Sequence, residues 1–173
     1  VYGRGLNGFE YKKNVVLNAG NSGTFARLIL GLLVKSPNQI KLIGDKSLSQ
    51  RDFERVITPL QKVGANFKVN SRKTLPLKII GSDFVNPINY IENRGSAQCK
   101  STIMLAALNL PGKTVIKAKK SRDHTENIFK YLGIPIIVKK NKQNDDYEVV
   151  GQKSFSSFKY MVPSDPSSCA FFI

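Results

Sequence analysis

The chain has 173 residues, 41% of them hydrophobic and 23% charged, enough for one ordinary domain or two small ones around a real core. No apolar run approaches the roughly 18 to 20 residues of a membrane-spanning helix, and a single histidine, His124, with two distant cysteines, Cys99 and Cys169, argues against a His-rich zinc site or a disulfide framework and suggests a reducing compartment. Lys plus Arg is 27 against 12 Asp plus Glu, a net charge of +15 that attracts anions; the lysines are scattered and interleave with no aromatic platform, so neither a specific nucleic-acid partner nor a membrane is expected.

Hydrophobic periodicity gives a regular order of elements. Lys13 to Leu17 reads as a strand, Ser22 to Val34 as a helix and Gln39 to Gly44 as a strand. Gln50 to Val63 reads as a second helix, with Phe53, Val56, Ile57 and Leu60 at helical spacing and Gly64 as its stop. Ala65 to Val69 and Leu75 to Ile80 are strands. The pattern then restarts: strand Ile88 to Ile91, helix Gln98 to Leu108, strand Lys113 to Ala118, helix His124 to Leu132 stopped by Gly133, and strands Ile134 to Lys139 and Asp146 to Val150. Arg51-Asp52 corresponds to Arg122-Asp123, and Ile79-Ile80-Gly81 to Val149-Val150-Gly151, at offsets of about seventy residues. Each copy is a β-α-β-α-β-β unit, about 10–82 and 85–152. The fold class is therefore α/β (α+β), with the two units sharing one domain over 1–160. The start at Val1 and the bare apolar Ala170 to Ile173 lead us to expect an internal piece of a longer protein.

The chemistry lies in the turns. Asn18 to Arg27 links a strand to a helix through small residues, and free amides at a helix start suit a phosphate or carboxylate. Arg27 stands one turn further in. The equivalent turn, Gly95 to Ser101, carries Lys100. If the two helices run parallel, both positive ends favour one anionic ligand. Gln50-Arg51-Asp52 and Ser121-Arg122-Asp123-His124-Thr125-Glu126 precede the second helix of each unit, where Asp123 and Glu126 also fit a capping box. Arg51 and Arg122 hold corresponding places. No acid or cysteine partners His124 in a triad pattern, so it is not expected to be catalytic.

Five motifs carry a resemblance: Asn21-Ser22-Gly23-Thr24-x-x-Arg27, Gly44-Asp45-x-Ser47-Leu48-x-x-Arg51, Gly95-Ser96-Ala97-Gln98-x-Lys100-Ser101, Ser121 to Glu126, and Val162-Pro163-x-Asp165-x-Ser167-Ser168-x-Ala170-Phe171-Phe172. In this order the chain resembles the enolpyruvylshikimate-phosphate synthase family. The resemblance implies an incomplete inside-out α/β barrel domain of the enolpyruvyl-transferase kind, with 161–173 crossing into a second domain. It implies a cytoplasmic transferase of the shikimate pathway, on the route to chorismate and the aromatic amino acids. Such an enzyme moves the carboxyvinyl group of phosphoenolpyruvate to the 5-hydroxyl of shikimate 3-phosphate and releases phosphate, with no cofactor and no metal.

By the same resemblance, Asn21, Gly23 and Arg51 would contact phosphoenolpyruvate. Ser96, Ala97, Gln98, Ser121 and Arg122 would contact shikimate 3-phosphate. Lys100, Arg27 and Thr24 are further possible members, and no catalytic acid or base falls in this stretch. The parent protein would be a monomer; this piece alone would be inactive and could self-associate. Two departures stand out: Asp52 where the family has Pro, beside Arg51 and able to neutralise it, and Ser164 where the family has Gly. The sister family that acts on a UDP-sugar, and a non-catalytic module binding anions or nucleic acid, are the alternatives.

Overall fold

The computed structural model describes residues 2–6, 8, 9, 11, 13–154 and 156–162. The first unit runs β1 (Val15–Asn18), α1 (Gly23–Leu32), β2 (Ile40–Ile43), α2 (Glu54–Val63), β3 (Asn66–Lys68) and β4 (Leu77–Ile80). The second runs β5 (Asn89–Glu92), α3 (Ala97–Ala107), β6 (Lys113–Lys119), α4 (His124–Tyr131), β7 (Ile136–Lys140) and β8 (Asn144–Val150). Each unit forms its own four-stranded sheet, ordered β1-β2-β4-β3 and β5-β6-β8-β7. In each, the first pair is parallel and the other two are antiparallel. The described residues form two open sheets and no closed barrel. The motif from Pro163 onward, including Ser164 and Cys169, lies outside the described residues.

The repeat glycines explain themselves by close approach. A Cβ on Gly81 would stand 2.2 Å from the Ser36 amide, and one on Gly151 would stand 1.8 Å from the Leu110 carbonyl. At the same point the next amide bonds back to the chain just after the first helix of its unit, α1 or α3: Ser82 N–H to Val34 O and Gln152 N–H to Leu108 O, both 2.9 Å. A side chain at either glycine would push the sheet off its helix.

One core serves both units. α3 lies at its centre, with Cys99 through Met104, Ala106 and Ala107 all buried. Burying Ile103 and Met104 alone contributes about 1.5 to 3 kcal/mol each. α1 packs beside α3 in the same direction: the Gln98 Nε2 amide donates to Thr24 Oγ1 at 2.7 Å, and the Thr102 hydroxyl donates to Arg27 O at 3.1 Å. Further along, Gly31 faces Thr102. The two helix starts are therefore held side by side.

The second helix differs from its expected span. Leu48–Gln50 is a short 3-10 turn, Arg51 is extended at φ −80 and ψ 142, and α2 begins only at Glu54. The Asp52 carboxylate accepts from Glu54 N–H at 2.7 Å, an Asx turn that competes with helix at 50–53. The capping box at Asp123 does not form. Asp123 makes no side-chain cap bond, and the Glu126 carboxylate, the other half of the box, turns inward to pair with the Lys100 ammonium.

The outward faces of the two sheets are charged differently. Lys41 pairs with Lys78 and Lys78 with Lys68, a row of three like charges across neighbouring strands. On the second sheet acids break such rows: Lys117 and Lys139 flank Asp146, and Glu148 on the central strand bonds both Lys113 and Lys139. Directly opposed like charges destabilise a sheet. Lys78→Glu should therefore raise unfolding stability by about 0.2 to 1 kcal/mol in low salt and lose the gain at about 1 M salt; urea melts at the two ionic strengths measure both. Gly31→Ala tests the helix pair. Alanine is the better helix former, but its Cβ would stand 2.2 Å from the Thr102 carbonyl. A net loss of about 1 to 3 kcal/mol in the same melts is expected.

Candidate anion-binding site

The parallel helices bring both turns to one end of the core. Ser22 Oγ caps α1 by accepting from Phe25 N–H at 3.1 Å, and Ser96 Oγ caps α3 by accepting from Cys99 N–H at 3.2 Å. Each turn carries a glycine in the left-handed region, Gly20 at φ +53 and Gly95 at φ +72, where a side chain would be strained. Between the start of α3 and the 51–56 segment, with Arg27 of α1 in its wall, lies a cavity of about 410 Å³. Its cations are Arg27, Arg51, Arg55 and Arg94, its polar groups include Ser96 and Gln98, and its carboxylate is Asp52. Asp52 makes no ion pair with Arg51 among the described residues; its carboxylate is held by the Glu54 amide and its carbonyl by Arg27. Such a set favours anions.

Arg27 anchors the cavity wall. It donates from Nη1 to Gln98 Oε1 at 3.0 Å, and its guanidinium lies 5.0 Å from the centre of the Phe53 ring. Burial holds its pKa below the ordinary range, and Arg51 and Arg55 push the same way. A bound anion would relieve that crowding. Asn21 Nδ2 donates to Asp45 Oδ2 at 2.7 Å, and Arg51 reaches Asn21 Oδ1 at 3.5 Å. A Cβ on Gly23 would stand 2.8 Å from Arg27 Nη1 and 3.1 Å from Arg51 Nη1, so that glycine keeps both guanidinium groups in place.

Arg27, Arg51, Ser96 and Gln98 line this cavity; Asn21, Gly23 and Thr24 join them through Arg51, the two guanidinium groups and Gln98 respectively, and Ala97 opens α3. Ser121 and Arg122 adjoin rather than line this cavity. Gly95 lies against Lys119 and the Lys120 carbonyl, so the two turns of the second unit touch. Ser121 lines a separate cavity of about 320 Å³ with Glu126, Asp145 and Tyr147, while Arg122 is exposed. Lys100 is fully buried and donates to the Arg122 carbonyl at 3.0 Å, besides pairing with Glu126. Its ammonium faces the protein interior. Sequence reasoning missed Arg55, Arg94 and Glu92. Arg55 lies four residues after Arg51, one helical turn on, which is a signal the sequence offered; the burial of Glu92 at the end of β5 has no such signature.

The Tyr147 hydroxyl sits beside this buried pair. Burial raises its pKa well above the ordinary tyrosine range, and Glu126 and Asp145 add to the shift. The folded chain therefore keeps a proton that the unfolded chain loses near pH ~10. That contribution is whole below about pH 10 and falls away as pH rises through the folded value. Tyr147→Phe should lessen the decline of the urea midpoint above about pH 10, leaving the part due to Tyr90, which burial also raises.

Comparison with known proteins identifies the family. The sequence model of the family described as EPSP synthase (3-phosphoshikimate 1-carboxyvinyltransferase) matches residues 1–173. A 3-phosphoshikimate 1-carboxyvinyltransferase of Ruthia magnifica subsp. Calyptogena magnifica is 45% identical over 100% of this chain and 39% of its own length. One from Ruegeria sp. (strain TM1040) is 40% identical over 99% of this chain and 38% of its own. The solved EPSP synthase of Acinetobacter baumannii superposes with a TM-score of 0.84 at 35% identity, covering 99% of this chain and 38% of that one. The chain thus spans about two fifths of the length of these relatives. Its repeated units, its paired turns and a match along its whole length place it in the EPSP synthase family.

Proposed function

We propose that this chain supplies the substrate-binding part of one domain of a 3-phosphoshikimate 1-carboxyvinyltransferase, a cytoplasmic enzyme. Two units over 1–160 would form most of that domain, with 161–173 leading into the other. The reading rests above all on the cavity with four arginines and two capped helix starts. In the proposed reaction the 5-hydroxyl of shikimate 3-phosphate gives up its proton to a base as its oxygen bonds to C2 of phosphoenolpyruvate, while C3 gains a proton. The tetrahedral intermediate then expels phosphate from C2 and loses a proton from C3, restoring the double bond.

Each residue has a part in that reading. Arg51, Asn21 and the open approach at Gly23 would hold phosphoenolpyruvate, with Arg27 fixing the wall. The Ser96 hydroxyl and the Ala97 amide would take the phosphate of shikimate 3-phosphate, Gln98 its ring, and Ser121 with Arg122 the phosphate's far side. Fixed guanidinium groups and helix amides stabilise negative charge as it develops, without reorganising. The bases that move the protons would come from outside this stretch, so the chain is proposed to bind without turning over.

Calorimetry of the 173-residue chain tests this. Saturable binding of shikimate 3-phosphate is expected, and Arg122→Ala should weaken it by about 1.5 to 3 kcal/mol, the scale of a charge-assisted hydrogen bond. Unchanged affinity would remove Arg122 from the site. Binding to random-sequence DNA with a slope of several counterions, and none to shikimate 3-phosphate, would favour a plain anion-binding module instead.

A further inference from the structure

Glu92 is a buried carboxylate, 3% exposed, in a chain of net charge +15. It ends β5, directly before the turn that opens α3. Its Oε2 accepts from Ser96 N–H at 2.8 Å, and its Oε1 accepts from Arg94 N–H at 3.3 Å and pairs with the Arg55 guanidinium. Arg55 belongs to α2 of the first unit and lines the four-arginine cavity. One side chain therefore joins the helix that follows Arg51 to the turn that carries Ser96.

The repeat shows that the fold alone does not call for this acid. Ile79 and Val149, each two residues before the repeat glycine, pair with Ile40 and Thr114. Counting on through β1 and β5 sets Ala19 at the place of Glu92. The first unit closes the same corner with a small apolar residue. A carboxylate there costs desolvation, which its three donors offset. It also places negative charge beside a cavity suited to anions, an arrangement that opposes ligand binding unless the acid does something else.

We propose that Glu92 is a positioning residue for this site. It locks the Ser96 turn to the arginine-bearing helix of the neighbouring unit, so that the two substrate subsites keep a fixed spacing. The proposal rests on the functional reading above. By occupying the Ser96 amide it directs the phosphate toward the Ala97 and Gln98 amides at the start of α3. By holding Arg55 it sets how far the guanidinium cluster reaches across the cavity.

Glu92→Gln separates position from charge, because the two act in opposite directions. If Glu92 mattered only as a charge, neutralising it would tighten binding of an anion. If it positions the turn, affinity for shikimate 3-phosphate falls about tenfold, the scale of a lost charge-assisted contact, and amide hydrogen exchange speeds up at Ser96 while the α3 interior keeps its protection. Tighter or unchanged binding with an unaltered Ser96 amide would overturn the proposal.

Should the single variant lose its fold, Arg55→Leu with Glu92→Leu refills the corner with apolar groups. Fast exchange confined to the 94–96 turn would then support the proposal, and parent-like protection there would overturn it. A parent chain that does not bind shikimate 3-phosphate defeats the functional reading, and with it the positioning role.

Discussion

Two parallel helices in near contact set the terms for everything else in this chain. α1 and α3 come from different units, yet Gly31 lies against Thr102, and Gln98 bonds Thr24 near the start of both helices. A helix carries its partial positive charge at its first turn. Packing two of them in step concentrates two such ends in one place. Antiparallel packing of the same sequences would send one turn to the far end of the core and leave neither with a partner. The absence of a side chain at Gly31 is thus part of the site's geometry, although it lies two turns away from it.

Charge supplies the second half of the argument. Four arginines around one cavity repel each other, and that repulsion is tolerable only while water or an anion screens it. The protein limits the problem by fixing some of them. Arg27 is spread over Phe53 and tied to Gln98; Arg55 is held by Glu92. Arg51 is exposed, with Asn21 at the edge of bonding range. Arg94 is exposed too, with no side-chain bond among the described residues, so the cation that the motif resemblance assigns to phosphoenolpyruvate is one of two that are weakly held. Lys100, the most deeply buried, is used for architecture: it holds the Arg122 carbonyl from inside.

Much of this was legible in the sequence because glycines and small residues punctuate the repeat at matching places. Gly64 and Gly133 end helices, Gly81 and Gly151 admit a neighbouring backbone, and Gly20 and Gly95 shape the two turns. The start of α2 was not legible. Phe53, Val56, Ile57 and Leu60 share a helical stripe, but the local bond that the Glu54 amide donates to the Asp52 carboxylate wins over the first turn of the expected helix. Ion pairs were the least accessible of all. Arg55 and Glu92 are 37 residues apart and sit in different units, and Lys100 and Glu126 are 26 apart. Periodicity assigns a face to a residue and says nothing about which opposite charge waits there. It therefore read Glu126 as a cap and passed over Glu92.

The bonds from Gln98 to Thr24 and Arg27 also bear on how such a repeat can evolve. Duplicating a β-α-β-α-β-β segment yields a second sheet, a second core face and a second turn, each able to form by local rules. Recognition, however, resides in the seam. With Gln98 of one copy bonded to Thr24 and Arg27 of the other, a change on one side of the seam is felt on the other. The architecture repeats unit by unit, whereas the recognition surface is a property of the pair.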